Sequence, residues 1–370
     1  MRPGAGSPGR YEAAGVDYAT LDRAKRDALA AAAATSGLAR RRGALVEEAS
    51  RGEPAVVVRA GAARLGFVLE CLGTKSMIAR AYEEETGVDR FAAVGFDTVA
   101  AAANDCACVG ALPVVVNAYF ATGSAAWYAG GRHASLVEGF RRGCEAAGAA
   151  WGGGESPALP GLVAADQIDL AASVVGLVPE GHEPILGVEL APGDEIVLVA
   201  SSGLHANGAS LARDVAAALE DGWRTRLPSG RSLGEAVLDE SVVYVPLVEA
   251  LLEARLPVHY LSHITGHGLR KLMRAPRDLT YVVSRLPAVP EVLAFLAEAA
   301  GLSPAEAYGT LNMGAGFACY VAPGAGGEVV DLASTLGLAA LVAGTVREGP
   351  RRVVLEEAGV AFEAEALELR

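Results

Sequence analysis

The stretch from Gly95 to Gly123, GFDTVAAAANDCACVGALPVVVNAYFATG, limits the fold more than any other part of the chain. A run of small apolar residues ends in an acid–amide pair, Asn104-Asp105. It then turns through Gly110-Ala111-Leu112-Pro113 into a β-rich segment over 113–122. Asp97 lies eight residues before Asp105, so on a helix turning ~100° per residue the two carboxylates are offset by only about 80°. Helical packing against a sheet explains the alanines but not Asp97, Asn104 and Asp105. The residues alone leave two readings open, three satisfied caps and surface groups or a metal or phosphate site.

The chain has 370 residues, enough for two domains with sizeable cores. Its 31 basic and 44 acidic side chains give a net charge of −13, which argues against a nucleic-acid binder. An anionic ligand therefore needs local cations, helix N-termini or a divalent metal. No run approaches the ~20 apolar residues of a membrane span, and MRPGAGSPGR has no signal-peptide core. Five cysteines, an odd number within apolar segments, fit reduced thiols better than a disulfide framework. These features predict a soluble cytoplasmic protein that contacts neither membrane nor nucleic acid.

Taken in order, residues 1–10 read as a flexible leader and 18–36 as an Ala-rich amphipathic helix. Arg40-Arg41-Arg42 reads as a solvated loop. Two β-rich runs, 55–60 and 65–72, end in Leu72-Gly73-Thr74-Lys75. This ending is like a phosphate-gripping turn without Walker spacing. A helix over 132–149 leads to Gly152-Gly153-Gly154-Glu155-Ser156, where three glycines would let backbone approach a ligand closely, or form an ordinary glycine-rich loop. A strand over 167–178 closes a first domain (11–180), with 179–184 as linker to a second (185–356) and a tail over 357–370. The second domain opens with a strand over 195–200 and the turn Ser201-Ser202-Gly203-Leu204-His205-Ala206-Asn207-Gly208. A helix follows at 209–219. A strand feeding such a turn and helix is an anion site in waiting, because the first backbone N–H groups of the helix are unpaired. His205 and Asn207 would add donors. Helices near 244–254 and 290–300 alternate with strands near 257–264, 279–283 and 317–321. That alternation predicts an α/β (α+β) architecture.

His259, His263 and His267 recur every four residues, but Pro257 and Thr265-Gly266 interrupt the single helix that would align them for zinc. There is no Cys-x-x-Cys pair and no Ser in a G-x-S-x-G elbow.

In order, YEAAGVD (11–17), LGTK (72–75), GFDTVAAAANDCACVGALP (95–113), YFATG (119–123), GGGES with LPG (152–161), SSGLHANGASL (201–211), HITGHG (263–268) and LNMGAG (311–316) resemble the aminoimidazole ribonucleotide synthetase family. Each piece is short, and the order and spacing are specific. The resemblance runs from Tyr11 to about Val354. It implies the two-domain PurM-like fold, with N-terminal sheets joined in a homodimer, and an ATP- and Mg2+-dependent cyclo-ligase acting on a phosphorylated small molecule. In that family ATP activates the formyl amide oxygen of formylglycinamidine ribonucleotide, and the amidine nitrogen closes an aminoimidazole ring. Carried over, Glu70, Asp97, Asp105 and Glu155 are the expected magnesium ligands. Gly73, Thr74, Lys75, Asn104, Gly153, Gly154, Ser202, Gly203 and Asn207 are the expected nucleotide-binding residues. Lys75, His205 and His263 are the expected catalytic or phosphate-binding groups.

The departures cluster. Glu70-Cys71 stand where the family has Asp-Gly, and RGALVEEASRGEP (42–54) replaces a Gly-rich, Phe-containing loop. Ala118 replaces an Asp, His267 a Gly and Gly309 an Arg. Three readings follow: the purine cyclo-ligase, a paralogue activating another amide or carboxylate with ATP, and a silent binding or regulatory homologue. Retained Lys75, Asp105, Glu155 and His263 argue against the third.

Overall fold

A computed structural model describes residues 18–367, so the 1–10 leader and the YEAAGVD motif lie outside the described residues. Two sheets, one from each half of the sequence, organise everything else. The first has six strands in the order β1-β2-β3-β6-β4-β5. They are β1 (Ala44–Val46), β2 (Val56–Ala60), β3 (Ala63–Cys71), β4 (Leu112–Thr122), β5 (Ala150–Glu155) and β6 (Ile168–Leu177). After α1 (Tyr18–Ala33), the helices of this half are α2 (Lys75–Thr86), α3 (Phe91–Ala107) and α4 (Gly131–Ala146). Alternation along β3 sends Gly66 and Val68 toward α3, and Phe67 and Leu69 outward. α3 packs across β3, β6 and β4 and lies against α4. A methyl group at Gly139 would overlap the Ala92 carbonyl, and one at Gly95 the Leu136 carbonyl. The two helices therefore touch backbone to backbone, a spacing that small residues permit.

The second sheet has seven strands in the order β13-β12-β9-β11-β7-β10-β8. They are β7 (Glu195–Ala200), β8 (Val258–His263), β9 (Leu279–Val283), β10 (Ala315–Val321), β11 (Ala340–Glu348), β12 (Arg352–Leu355) and β13 (Val360–Glu363). Its helices are α5 (Ala209–Ala218), α6 (Leu233–Val237), α7 (Val245–Glu253), α8 (Glu291–Ala299), α9 (Pro304–Tyr308) and α10 (Gly326–Thr335). β13 pairs with β12, so part of the segment expected as a tail is an edge strand of this sheet. One apolar core runs unbroken from the helical layer of the first sheet into that of the second. A smaller core, rich in tyrosine, fills the other face of the second sheet, under the 268–273 segment.

The predicted strand at 195–200 and the helices near 95–105 and 209–219 form where periodicity places them. The glycine-rich run does not form a loop. Gly152, Gly153 and Gly154 are inside β5, which runs parallel to β4 at the sheet edge. A Cβ on Gly154 (φ 154°) would overlap the Ala118 carbonyl, so close strand approach accounts for this glycine. Arg40–Arg42 end an exposed 3-10 segment, Ser36–Arg42. All five cysteines are free thiols. No helix among the described residues is long and apolar enough to cross a membrane.

Candidate active site

Two polar clusters hang from the same face of α3, and they are built differently. The first contains Lys75 and Asp97, both fully buried. The Lys75 ammonium donates to an Asp97 carboxylate oxygen and, at 3.1 Å, to the Asp239 carbonyl. The other Asp97 oxygen accepts the Ser241 N–H at 2.7 Å. One turn-pair further along, Asn104 donates to the Val242 carbonyl at 2.8 Å and accepts the Tyr244 N–H at 2.7 Å. Residues 239–244 thus form an extended strap from the second half, stitched to α3 by side chains that stand in for a neighbouring strand. His205, buried with φ 60°, accepts the Ser202 N–H at 3.2 Å and the Val242 N–H at 3.5 Å through Nε2. Burial first, then the His263 and Lys75 charges, push its pKa well below the usual imidazole range. His205 is a neutral acceptor that ties the Ser201–Gly208 turn to the strap.

The second cluster forms part of the wall of a cleft of about 650 Å³ between the halves. The first half contributes the 50–54 loop, the Glu70–Thr74 turn, and Ala101 and Asp105 of α3. From the second half come the Ala206–Ser210 turn, Thr265–His267, Lys271 and Arg274. Asp105 Oδ1 lies 2.7 Å from His263 Nδ1. Burial alone would raise Asp105, but the His263 hydrogen bond and the charges of His263, Lys271 and Arg274 hold it at about 2. An ionised carboxylate only accepts, so Nδ1 carries the proton in this contact. Glu70 is a neighbour of Asp105 on the cleft wall, and burial followed by the charge of Asp105 pushes it up to about 7. Lys271 is held down to about 8 by burial and by Arg274, against the pull of Asp105 and Glu70.

Of the residues predicted from sequence, Glu70, Gly73, Thr74, Asp105 and Asn207 line this cleft. Lys75, Asp97, Asn104 and His205 belong instead to the strap cluster. Ser202 donates to the Glu240 carbonyl at 2.6 Å, and Gly203 is buried behind the same turn. His263 is buried behind Asp105 and orients it from there. Gly153, Gly154 and Glu155 are exposed on β5, away from the cleft. The four expected magnesium ligands therefore do not converge within one chain, and no group of three or more metal-ligating side chains is found among the described residues. Glu70 and Asp105 do fit a hard divalent cation. They are two carboxylates on one wall of the cleft, and a cation relieves the burial and the like charge that raise Glu70.

The sequence reading missed the 271–274 pair and the 50–54 loop. Glu53 accepts from the Tyr260 hydroxyl at 2.8 Å and lies 3.6 Å from Arg274 Nε, while Arg274 also donates to the Gly52 carbonyl at 2.9 Å. The segment that replaces a Gly-rich loop is thereby bolted to the second half as a fixed wall. The signal was present in a run of three cations, Arg270, Lys271 and Arg274, in an acidic chain. The other departures are local. His267 holds a left-handed φ of 73° without being glycine. The space above Gly309 is filled by the Arg270 guanidinium, which a Cβ at 309 would meet at 2.7 Å. Ala118 lies buried on the helical face of β4.

Comparison with known proteins places both halves of the chain in one family. Residues 52–178 match the model of the AIR synthase related protein N-terminal domain, and 191–356 that of the C-terminal domain. The phosphoribosylformylglycinamidine cyclo-ligase of Methanothermobacter thermautotrophicus is 34% identical over 307 residues, covering 82% of this chain and 86% of that protein. Among solved structures, the hydrogenase maturation protein HypE in complex with ATP is 18% identical, with a TM-score of 0.58 over 80% of this chain and 83% of that one. ThiL complexed with AMPPCP and TMP is 16% identical, with a TM-score of 0.57 over 84% and 90%. The two structures share the fold, and the two domain models with the cyclo-ligase sequence show the rest: this chain belongs to the AIR synthase related protein family.

Proposed function

We propose that the protein is an ATP- and Mg2+-dependent cyclo-ligase that converts formylglycinamidine ribonucleotide to aminoimidazole ribonucleotide, ADP and phosphate. The observation that carries this reading is the convergence of three features on one cleft. They are the Glu70–Thr74 turn, the start of α5, and the Asp105–His263 pair. Similarity to a cyclo-ligase supports the reaction, and the ATP and AMPPCP complexes of HypE and ThiL support the nucleotide.

In this reading the formyl amide oxygen takes the γ-phosphoryl group and ADP leaves. The amidine nitrogen then attacks the activated carbon, that oxygen departs as phosphate, and the nitrogen loses its proton. Little covalent work falls to the protein, so positioning and charge stabilisation dominate. Glu70 and Asp105 would hold the magnesium ion, which neutralises phosphoryl oxygens when bound. His263 keeps Asp105 ionised and fixed. The backbone N–H groups at Gly73-Thr74 and at the start of α5, which line the cleft, would donate to phosphate oxygens. Glu155, remote from the cleft of its own chain, has no part in this scheme.

A homodimer belongs to the same proposal. The outer face of the first sheet carries cross-strand apolar rows, Val56-Phe67-Val175-Val115 and Val58-Leu65-Leu177-Leu112. Leu69 beside them is 72% exposed. A second copy would cover this face, and Leu69→Asp with Phe67→Asp should give a monomer by light scattering.

The 50–54 wall favours a second reading, the same chemistry on a different amide or carboxylate, because it lines the cleft where the resemblance implies a Gly-rich, Phe-containing loop. One assay separates the two. Purified protein receives ATP, Mg2+ and formylglycinamidine ribonucleotide, and ADP and the imidazole product are measured. Equal amounts of both support the cyclo-ligase. Nucleotide binding without turnover moves the assignment to another acceptor, and absence of nucleotide binding overturns both readings.

A further inference from the structure

We propose that Lys271 is the phosphoryl-binding lysine of the cleft, taking the place that sequence reasoning gave to Lys75. The assignment rests on the reading of the cleft as a site for phosphorylated ligands.

Lys75 is fully buried, engaged by Asp97 and the Asp239 carbonyl, and does not line the cleft. Four cations do line it: Lys25, Arg51, Lys271 and Arg274. Arg274 is engaged by Glu53 and the Gly52 carbonyl. Arg51 is engaged by Glu48 and Ser36. Lys25 is on the exposed surface of α1. Lys271 differs from all three. Its side chain belongs to a residue only 8% exposed, and its ammonium donates to Thr265 Oγ1, itself a cleft residue. An ammonium has three N–H donors, and among the described residues Thr265 Oγ1 is the acceptor recorded for Lys271. A buried cation with donors to spare, lining a cavity, is incomplete without an acceptor from a ligand.

A second, independent feature of the same cleft points to the same ligand chemistry. Residues 206–210 form another of its walls, and α5 starts there, ten residues long, behind Gly208 with no side-chain cap. Its first backbone N–H groups need an acceptor as well, and a phosphoryl oxygen suits both a helix N-terminus and an ammonium. The neighbouring carboxylates do not forbid an anion. Asp105 is tied to His263, and Lys271 lies within electrostatic reach of both Asp105 and Glu70.

The phosphoryl group has two sources, the terminal phosphate of the nucleotide and the ribose phosphate of the acceptor substrate. Titration calorimetry with Mg·AMPPCP, Mg·ADP and ribose 5-phosphate on the full-length protein separates them, comparing the parent with Lys271→Met and Lys271→Arg. Loss of a charged hydrogen bond predicts Lys271→Met binding weaker by roughly tenfold to a hundredfold for one probe, with part of the affinity kept by Lys271→Arg. A loss confined to AMPPCP identifies the terminal phosphate, and a loss confined to ribose 5-phosphate identifies the substrate. If Lys271→Met does not fold, Lys271→Arg carries the test, since a planar fork cannot reproduce a point contact and should still shift one constant severalfold. A parent that binds and variants with unchanged constants overturn the assignment of Lys271 alone. A parent that binds none of the probes overturns the reading of the cleft, and the assignment with it.

Discussion

Asp97 and Asp105 are the same residue type on the same helix, both buried, each facing a nitrogen from another segment. Asp97 meets Lys75 and a backbone N–H, fully buried and outside the lining of the cleft. Asp105 meets His263 and a second carboxylate at the surface of a cleft. At Asp97 every strong partner comes from the protein, and the charge is balanced. At Asp105 a like-charged neighbour remains, and the protein offers space rather than a further partner. Burial and pairing therefore do not identify a functional carboxylate here. What identifies it is unbalanced charge next to empty volume.

That contrast breaks most easily at the strap. Lys75→Met should cost about 3–5 kcal/mol, because it leaves Asp97 charged and unpaired in the core. Lys75→Met with Asp97→Leu should recover most of that loss in urea unfolding. If Lys75→Met instead keeps its stability and loses nucleotide affinity, Lys75 acts at the site and the two ends of the helix are not different in kind. Next in size is Asn104→Ala, expected to cost about 2–3 kcal/mol because a buried carbonyl and N–H of the strap lose their partners. Circular dichroism melts measure it, and a change below the error would make the strap a passenger. Asp105→Asn should cost the fold only about 1 kcal/mol, since an amide oxygen can still accept from His263. The same substitution should abolish Mg2+-dependent nucleotide binding. Unchanged AMPPCP affinity in that variant would put Asp105 in the same class as Asp97.

The smallest effect is on pH dependence. Glu70 is raised from 4.5 to about 7 in the folded protein. Its contribution to stability is therefore full below 4.5 and is lost as pH rises through about 7. In EDTA, Glu70→Gln should flatten that slope and raise the melting temperature at pH 8 on the order of 2 °C. Adding Mg2+ to the parent should flatten the slope in the same way if the ion sits between Glu70 and Asp105. An unaltered slope with Mg2+ would place the ion elsewhere.

Much of the fold was readable from period and punctuation. Strand β7 and helices α3 and α5 follow from runs of apolar residues at spacing two or 3.6, closed by glycine or proline. The glycines of β5 were not readable, because a glycine run looks the same whether it approaches a ligand or another strand. In this chain the deciding atom is the Ala118 carbonyl, on a strand more than thirty residues earlier. The site divides in the same way. The offset of about 80° between Asp97 and Asp105 correctly put them on one broad side of a helix. That side, however, is covered by the 239–244 strap at one end and opens on the cleft at the other, and only tertiary structure reveals which residue meets which. The cation run at 270–274 marked the segment, but no local pattern distinguishes a lysine on an exposed turn from one folded inward against Thr265.

The strap bears on how such a chain can be taken apart. The two family models meet the sequence as separate blocks, inviting a cut near residue 184. Cutting there would leave the N-terminal fragment with Asn104 unpartnered on an apolar helix face and Asp97 holding Lys75 but not the Ser241 N–H. The C-terminal fragment would keep Ser241, Val242 and Tyr244 with their backbone groups bare. Neither piece would be a finished object in water. The protein matches two domain models but shares one apolar core, and its two halves should unfold in a single transition.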